Sequence, residues 1–209
     1  MFRFVFILTV LFATSAQADL SNREIRQIAY DGDMARMEAT FSDLHHKSLS
    51  GAISYDSLRS NVSALAVSHP DILAFTEKWQ AAYPQSPYAN TVRTFQLWEL
   101  GFGMRGGQTW QKTPIPAREG FQRMQQAGAA MALAAYEAAP DFVPATDAVF
   151  KYNMTTHFLD AEALDSLRHE VLSRTHDFGS LSRSLFSAQG TWGGEGLRNT
   201  TASAMNLPI

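Results

Sequence analysis

The chain of 209 residues contains no cysteine. Disulfide bonds, thiolate metal ligands and cysteine nucleophiles are therefore excluded. A lipid-modified N-terminal cysteine, the anchor of a lipoprotein, is excluded by the same absence. Any covalent or metal chemistry of this protein must come from other side chains.

Strand patterns, basic runs and long apolar runs are also scarce. Alternating segments of Val, Ile and Thr are short, whereas Ala, Leu, Met, Gln, Glu and Arg are plentiful, which predicts an all-α protein. The formal net charge is −3 and the basic residues form no run, so nucleic acid is not expected as a partner. Beyond the N-terminus, no segment approaches the roughly 18–20 apolar residues that a membrane span requires.

The N-terminal segment has the pattern of a secretory signal peptide. Arg3 precedes an apolar stretch over residues 4–13, and Ala16-Gln17-Ala18 has the small residues of a cleavage site. This pattern predicts that residues 1–18 are removed before Asp19 and that the protein is periplasmic or secreted. A buried N-terminal helix or an uncleaved anchor is the alternative interpretation.

Helical spacing of apolar residues and capping residues divide the rest of the chain into helices. The segment from Ser86-Pro87 carries a broad apolar surface and ends in a glycine cluster at 103–107. We expect one helical domain over residues 19–195 and a C-terminal tail over 196–209; after Phe178 the Ser- and Gly-rich sequence predicts no element. The predicted helices cover residues 21–47 with a break at 31–33, 56–67, 70–83, 87–107, 116–139, 144–157 and 160–176.

One pattern that occurs twice in the chain favours an internal repeat. Pro84 is followed by Ala89 at the start of a new helix, and Pro140 is followed by Ala145 in the same way, 56 residues later. Tetratricopeptide arrays repeat every ~34 residues, with small residues at helix contacts and a proline at the repeat end. A stretched repeat of that kind predicts a stack of helical hairpins, and a chance match is the alternative.

Several short motifs resemble a bacterial family known only as a domain of unknown function with a tetratricopeptide-like helical fold. The resemblance spans residues 33–194, but Phe102 stands where the family has tryptophan. It implies a fold and no activity. The motifs that carry it are Glu77-Lys78-Trp79, Tyr83-Pro84-Gln85-Ser86-Pro87-Tyr88-Ala89, Gly101-Phe102-Gly103-Met104-Arg105-Gly106, the helix over 127–140 and Thr191-Trp192-Gly193-Gly194.

The glycine turn after the central helix is the candidate binding site. Arg105 and Gly106 lie there, with Trp98 before them and Trp110 after them. A guanidinium framed by aromatic rings and free backbone N–H groups can hold a carboxylate or a phosphate. The alternative is that Arg105 caps the end of the helix and packs its stem on a ring.

No pattern predicts catalytic residues, a metal site or a cofactor. His169 and His176 lie two helical turns apart and His45-His46 point in different directions, so neither pair suits one ion. Stacked helix pairs form concave surfaces that bind, and we expect a protein- or peptide-binding scaffold. The alternatives are a small periplasmic hydrolase with its site near Gly103–Trp110, and a structural subunit resembling a chaperone.

Overall fold

A computed structural model describes residues 20–187. Over these residues the protein is all-α and contains no strand, as the composition predicts. The predicted signal peptide, the Thr191–Gly194 motif and the tail over 196–209 lie outside the described residues.

The helices follow one another with short connections. A single 3₁₀ turn, Trp110–Lys112, interrupts the connection between the fifth and sixth helices. The helices are α1 (Asn22–Tyr30), α2 (Met34–Leu49), α3 (Tyr55–Leu65), α4 (Pro70–Ala82), α5 (Pro87–Arg105), α6 (Ile115–Ala138), α7 (Val143–Thr156), α8 (Ala161–Thr175) and α9 (Phe178–Ser187).

Local sequence explains where most of these helices begin. A side-chain oxygen at the N-cap accepts a hydrogen bond from a backbone N–H of the first turn, and proline pre-sets the backbone at the start of α4 and α5. The predicted break at 31–33 is confirmed, with Asp33 capping α2. The N-caps that make this hydrogen bond are Ser21, Asp33, Ser54, Ser86 and Asp160.

Helix α5 ends as its glycines predict, and helix α9 is the element that the sequence analysis missed. Gly106 follows α5 with φ 69°, a left-handed conformation that suits glycine.

At α9, the Asp177 carboxylate accepts hydrogen bonds from the backbone N–H groups of Gly179 and Ser180, which supports the first turn. Ser184 is buried in the same helix, so tertiary contacts order a segment whose composition predicts no element.

Helices α5 and α6 form an antiparallel hairpin, against which α7 packs. Gly101 lies against Met124 and Gln125, whereas Met104, further along α5, lies against Gly120, earlier in α6. These close approaches depend on small residues, because a Cβ at either glycine would crowd the facing side chain. The predicted stack of helical hairpins is confirmed in this architecture; its relation to tetratricopeptide repeats stays a prediction.

The core lies between the N-terminal helices and the α5–α6–α7 layer. Trp79, Phe41, Phe142 and Tyr152 are among its largest fully buried side chains. The Trp79 indole N–H donates to Glu38, so its polar atom is satisfied in the core. Within residues 20–187, none of the helices combines the length and apolar character of a bilayer span.

Candidate functional site

A row of aromatic side chains runs from α7 across α5 to the connection between α5 and α6. We call it the aromatic row, and adjacent ring centroids are 4.8–6.0 Å apart. These separations lie in the range in which aromatic pairs attract each other. In order, the row consists of Tyr152, Trp98, Phe102, Phe121 and Trp110. Tyr152 and Phe121 are buried, Trp98 and Phe102 are half-buried, and Trp110 is exposed.

Three cations lie over the rings of this row. The Arg105 guanidinium carbon is 5.6 Å from the Phe102 centroid and 5.8 Å from that of Phe121. The Arg118 guanidinium carbon is 5.8 Å from the Trp110 centroid. The Lys151 Nζ is 4.8 Å from the Trp98 ring, so the positive charges follow the row from end to end.

Two of these three cations have no acidic partner in the part of the chain that the structure describes. Among residues 20–187, neither Arg105 nor Arg118 forms an ion pair or a side-chain hydrogen bond. The Arg105 Nε is buried and has no hydrogen-bond acceptor within the described part of the chain. Lys151 differs, because its Nζ lies 4.0 Å from a Glu99 carboxylate oxygen. An arriving carboxylate would therefore complete the hydrogen bonding of Arg105 and Arg118.

The end of the α5–α6 hairpin is both apolar and basic. Three of the five exposed large hydrophobic side chains in the described region lie here: Met104 at 50%, Trp110 at 37% and Ile115 at 63% exposure. Residues 100–118 contain three basic residues and no acidic one, although the whole chain carries a net charge of −3. Exposed apolar side chains beside charge of one sign are typical of an interaction surface.

The structure divides the predicted site residues between two environments. Trp98 is half-buried between Phe102 and Tyr152. Gly106 and Trp110 are exposed at the end of the hairpin. Arg105 lies in the last turn of α5 with its guanidinium over a ring, as the helix-end alternative predicts, and its role in binding stays a prediction.

The sequence analysis missed the members of the site that come from other helices. Phe121 and Arg118 lie on α6, and Lys151 lies on α7. Phe102 appears in it only in a family motif, as the residue that replaces the tryptophan of the family. The hairpin geometry brings these side chains together, and the apolar position of Phe121 in the pattern of α6 is the only signal that indicates a neighbour for α5.

A second arginine, Arg59, is the centre of a buried ionic cluster between α3, α7 and α9. Its Nε donates to Asp147 at 2.6 Å, and its Nη groups donate to Asp56, Asp177 and Ser180. Burial opposes the charge of Arg59, but the neighbouring Asp147 and Asp177 raise its pKa above the ordinary value. Burial likewise acts to raise the pKa of Asp177, yet hydrogen bonds from Arg59 and Ser180 lower it overall.

The buried His45 side chain lies between two polar neighbours. Its Nδ1 is 3.2 Å from the Tyr88 hydroxyl, and its Nε2 is 3.3 Å from an Asp141 carboxylate oxygen. Burial lowers the pKa of His45 below its usual value, and the opposing charge of Asp141 does not compensate. His45 is therefore a neutral core residue at pH 7.

The described part of the chain offers little for catalysis near the predicted site. Residues 103–110 include no histidine and no carboxylate. No group of three or more His, Asp or Glu side chains within residues 20–187 has the proximity that a metal ion requires. The cations and rings of the aromatic row can bind and orient a partner, but they include no general base.

Comparison of the chain with protein-family models, with curated proteins and with solved structures gives no match. The resemblance to the bacterial family therefore stays an expectation from the motifs. The function must be argued from the site itself.

Proposed function

We propose that this protein is an exported helical scaffold that binds an acidic, partly apolar peptide segment of another protein along the aromatic row. Export rests on the predicted signal peptide. The stacked helical hairpins, interpreted as a tetratricopeptide-like repeat, supply a rigid surface of the kind that binds extended partners.

The observation that carries the proposal is that Arg105 and Arg118 lie over aromatic rings without any acidic partner among the described residues. A guanidinium stacked on a ring keeps its N–H edge available for a carboxylate. The exposed Trp110 ring and the half-buried Trp98 and Phe102 rings offer contact area to apolar side chains. A peptide with alternating acidic and apolar residues satisfies both requirements.

Binding is favoured over the hydrolase alternative by the chemistry of the residues. The connection near Gly103–Trp110 carries an arginine and a tryptophan but no residue that could abstract a proton at neutral pH. The structural-subunit alternative leaves the unpaired cations without a role.

Selection from a random peptide display library on the purified protein tests the proposal. We expect enrichment of peptides in which Asp or Glu alternates with apolar residues. For a selected peptide, the double substitution Arg105→Ala with Arg118→Ala should weaken binding at least tenfold, because a hydrogen bond to a charged group contributes about 1.5–3 kcal/mol. Arg36→Ala is the matched control, since Arg36 is exposed on α2 and lies outside the row.

Two outcomes would contradict the proposal. One is enrichment of peptides without acidic residues, or binding that survives the double substitution in a folded protein. The other is that no peptide is enriched while vesicles of anionic lipid retain the protein through the same two arginines. That result would assign the exposed apolar and basic end of the hairpin to a membrane surface.

A further inference from the structure

A cavity of about 400 Å³ lies between α3, α5, α7 and α9, next to the aromatic row but not part of it. This volume is within the range of ligand-binding pockets, roughly 300–1,000 Å³. It is also far larger than the ~30 Å³ that one water molecule occupies in the liquid. Ser63 and Ser182, which line it, are exposed, so the cavity opens to solvent and a small molecule can enter it.

The walls of the cavity are mainly apolar. Val62 comes from α3, Phe95 from α5, and Pro144 and Met154 from the two ends of α7. Three different helices thus present hydrocarbon or ring surface to one space. A ligand with apolar surface of its own would gain the hydrophobic contribution of burying both surfaces.

The charged groups at the cavity are already neutralised by one another. Arg59 uses its Nε and both Nη groups in hydrogen bonds to carboxylates and to Ser180. Asp147 accepts from Arg59 with one carboxylate oxygen and from Ser180 with the other. A charged ligand would find no group in this cluster that lacks a counter-charge, and would lose its own hydration on entry.

The remaining cation, Lys151, is also engaged. Its Nζ lies over the Phe95 and Trp98 rings and 4.0 Å from Glu99. Around Arg59 and Lys151 stand the carboxylates of Asp56, Asp147, Asp177 and Glu99, so acidic groups outnumber basic ones. This balance disfavours an anionic ligand.

We infer that this cavity is a binding site for an uncharged, mainly apolar small molecule. The hydroxyls of Ser63 and Ser182 line the same space and supply hydrogen bonds for a single hydroxyl or carbonyl group of the ligand. None of the five rings of the aromatic row lines the cavity, although Lys151, which lies over the Trp98 ring, borders both.

Three naphthalene derivatives of equal ring size test the charge selectivity: 1-naphthylmethanol, 1-naphthoate and 1-naphthylmethylammonium. Isothermal titration calorimetry with the full protein at pH 7 should show the neutral alcohol binding at least tenfold more tightly than either ion. Ser63→Phe, which places a ring in the cavity, should abolish binding of the alcohol. Ser60→Phe is the matched control, because Ser60 is exposed on the same helix and does not line the cavity.

Equal or tighter binding of either ion would overturn the inference, as would unchanged binding of the alcohol to folded Ser63→Phe. If that variant does not fold, Met154→Trp narrows the cavity from the opposite wall and should weaken binding in the same way. Methyl NMR of the unmodified protein gives a second readout. The Val62 and Met154 methyl signals should shift on addition of the alcohol, and unshifted signals would overturn the proposal.

Discussion

Arg59 and Arg105 are both arginines, but they differ in exposure and in hydrogen-bond partners. Arg59 is 9% exposed and donates hydrogen bonds to three carboxylates and a serine from three parts of the chain. Arg105 is half-exposed, lies over two rings, and has no acidic partner among residues 20–187. One guanidinium is fully satisfied within the protein, whereas the other is not.

The difference in burial and in partners distinguishes an arginine that holds helices together from one that we propose binds a partner. A buried charge costs free energy unless its partners are in place, so the cluster around Arg59 holds α3, α7 and the start of α9 in one arrangement. A cation that is half-exposed over a ring costs little and keeps its hydrogen-bonding edge for a partner. We therefore attribute the stability of this region to Arg59, and our proposal assigns the binding surface to Arg105.

The largest expected effect concerns Arg59. Arg59→Met removes the cation that pairs with Asp147 and Asp177 in the cluster, and breaking a buried pair in this way costs about 3–5 kcal/mol. Urea unfolding at pH 7 measures the loss. Arg36→Met, at an exposed position of α2, should change the free energy of unfolding very little. A small loss at Arg59 would contradict its structural role.

Two glycine substitutions compare the packing at a crowded position with the packing at an open one. A Cβ at Gly128 would lie 2.1 Å from the buried Tyr152 ring, so Gly128→Ala must displace that ring and should cost about 1–3 kcal/mol or more. Gly103, near the exposed end of α5, has nothing within 4 Å of an added Cβ. Gly103→Ala should therefore be neutral or stabilise by up to about 1 kcal/mol, through helix propensity. Thermal unfolding of both variants checks this contrast; a comparable loss at both positions would refute it.

A pH titration tests the buried His45. Its folded-state pKa is lowered below the unfolded value of 6.5, mainly by burial. The unfolded chain therefore binds the proton more readily, and stability should fall as the pH is lowered below 6.5. His45→Gln should show a shallower loss of stability between pH 7 and pH 5 in urea unfolding. An equally steep loss in the variant would assign the pH dependence to other groups.

The smallest expected effect on stability is that of Arg105. Arg105→Ala removes a cation at a helix end that is stacked on rings, and such interactions contribute about 0.3–1 kcal/mol. Its melting temperature should thus remain close to that of the unmodified protein, although peptide binding is weakened. If Arg105→Ala unfolds the protein, Arg105 is a structural residue like Arg59 and the proposed binding surface is wrong.

Most of the helices could be predicted because their signals are local. Asp33 and Ser86 make the capping hydrogen bonds that their positions predict, Pro87 opens α5, and Gly106 ends it with a positive φ. Helix α9 could not be predicted, because its support comes from Asp177 and from burial of Ser184 against other helices. Composition alone favours a loop there.

The candidate site could be predicted only in part. Arg105 and Trp110 are close in the chain, so their proximity is a local property of the turn. Phe121 and Lys151 join the site only because α6 returns along α5 and α7 packs beside it. The single sequence contains no signal that pairs Lys151 with Trp98, since they lie on different helices with another helix between them.

The sequence by itself determined the all-α class, the bounds of most helices and the glycine turn that carries Arg105, because each depends on interactions within a few residues of the chain. Only the tertiary structure decided which arginine is buried and which remains available. Burial and ion pairing depend on distant partners: Arg59 meets Asp147 and Asp177 through the packing of α3 against α7 and α9, whereas Arg105 lies over two aromatic rings and forms no ion pair within residues 20–187.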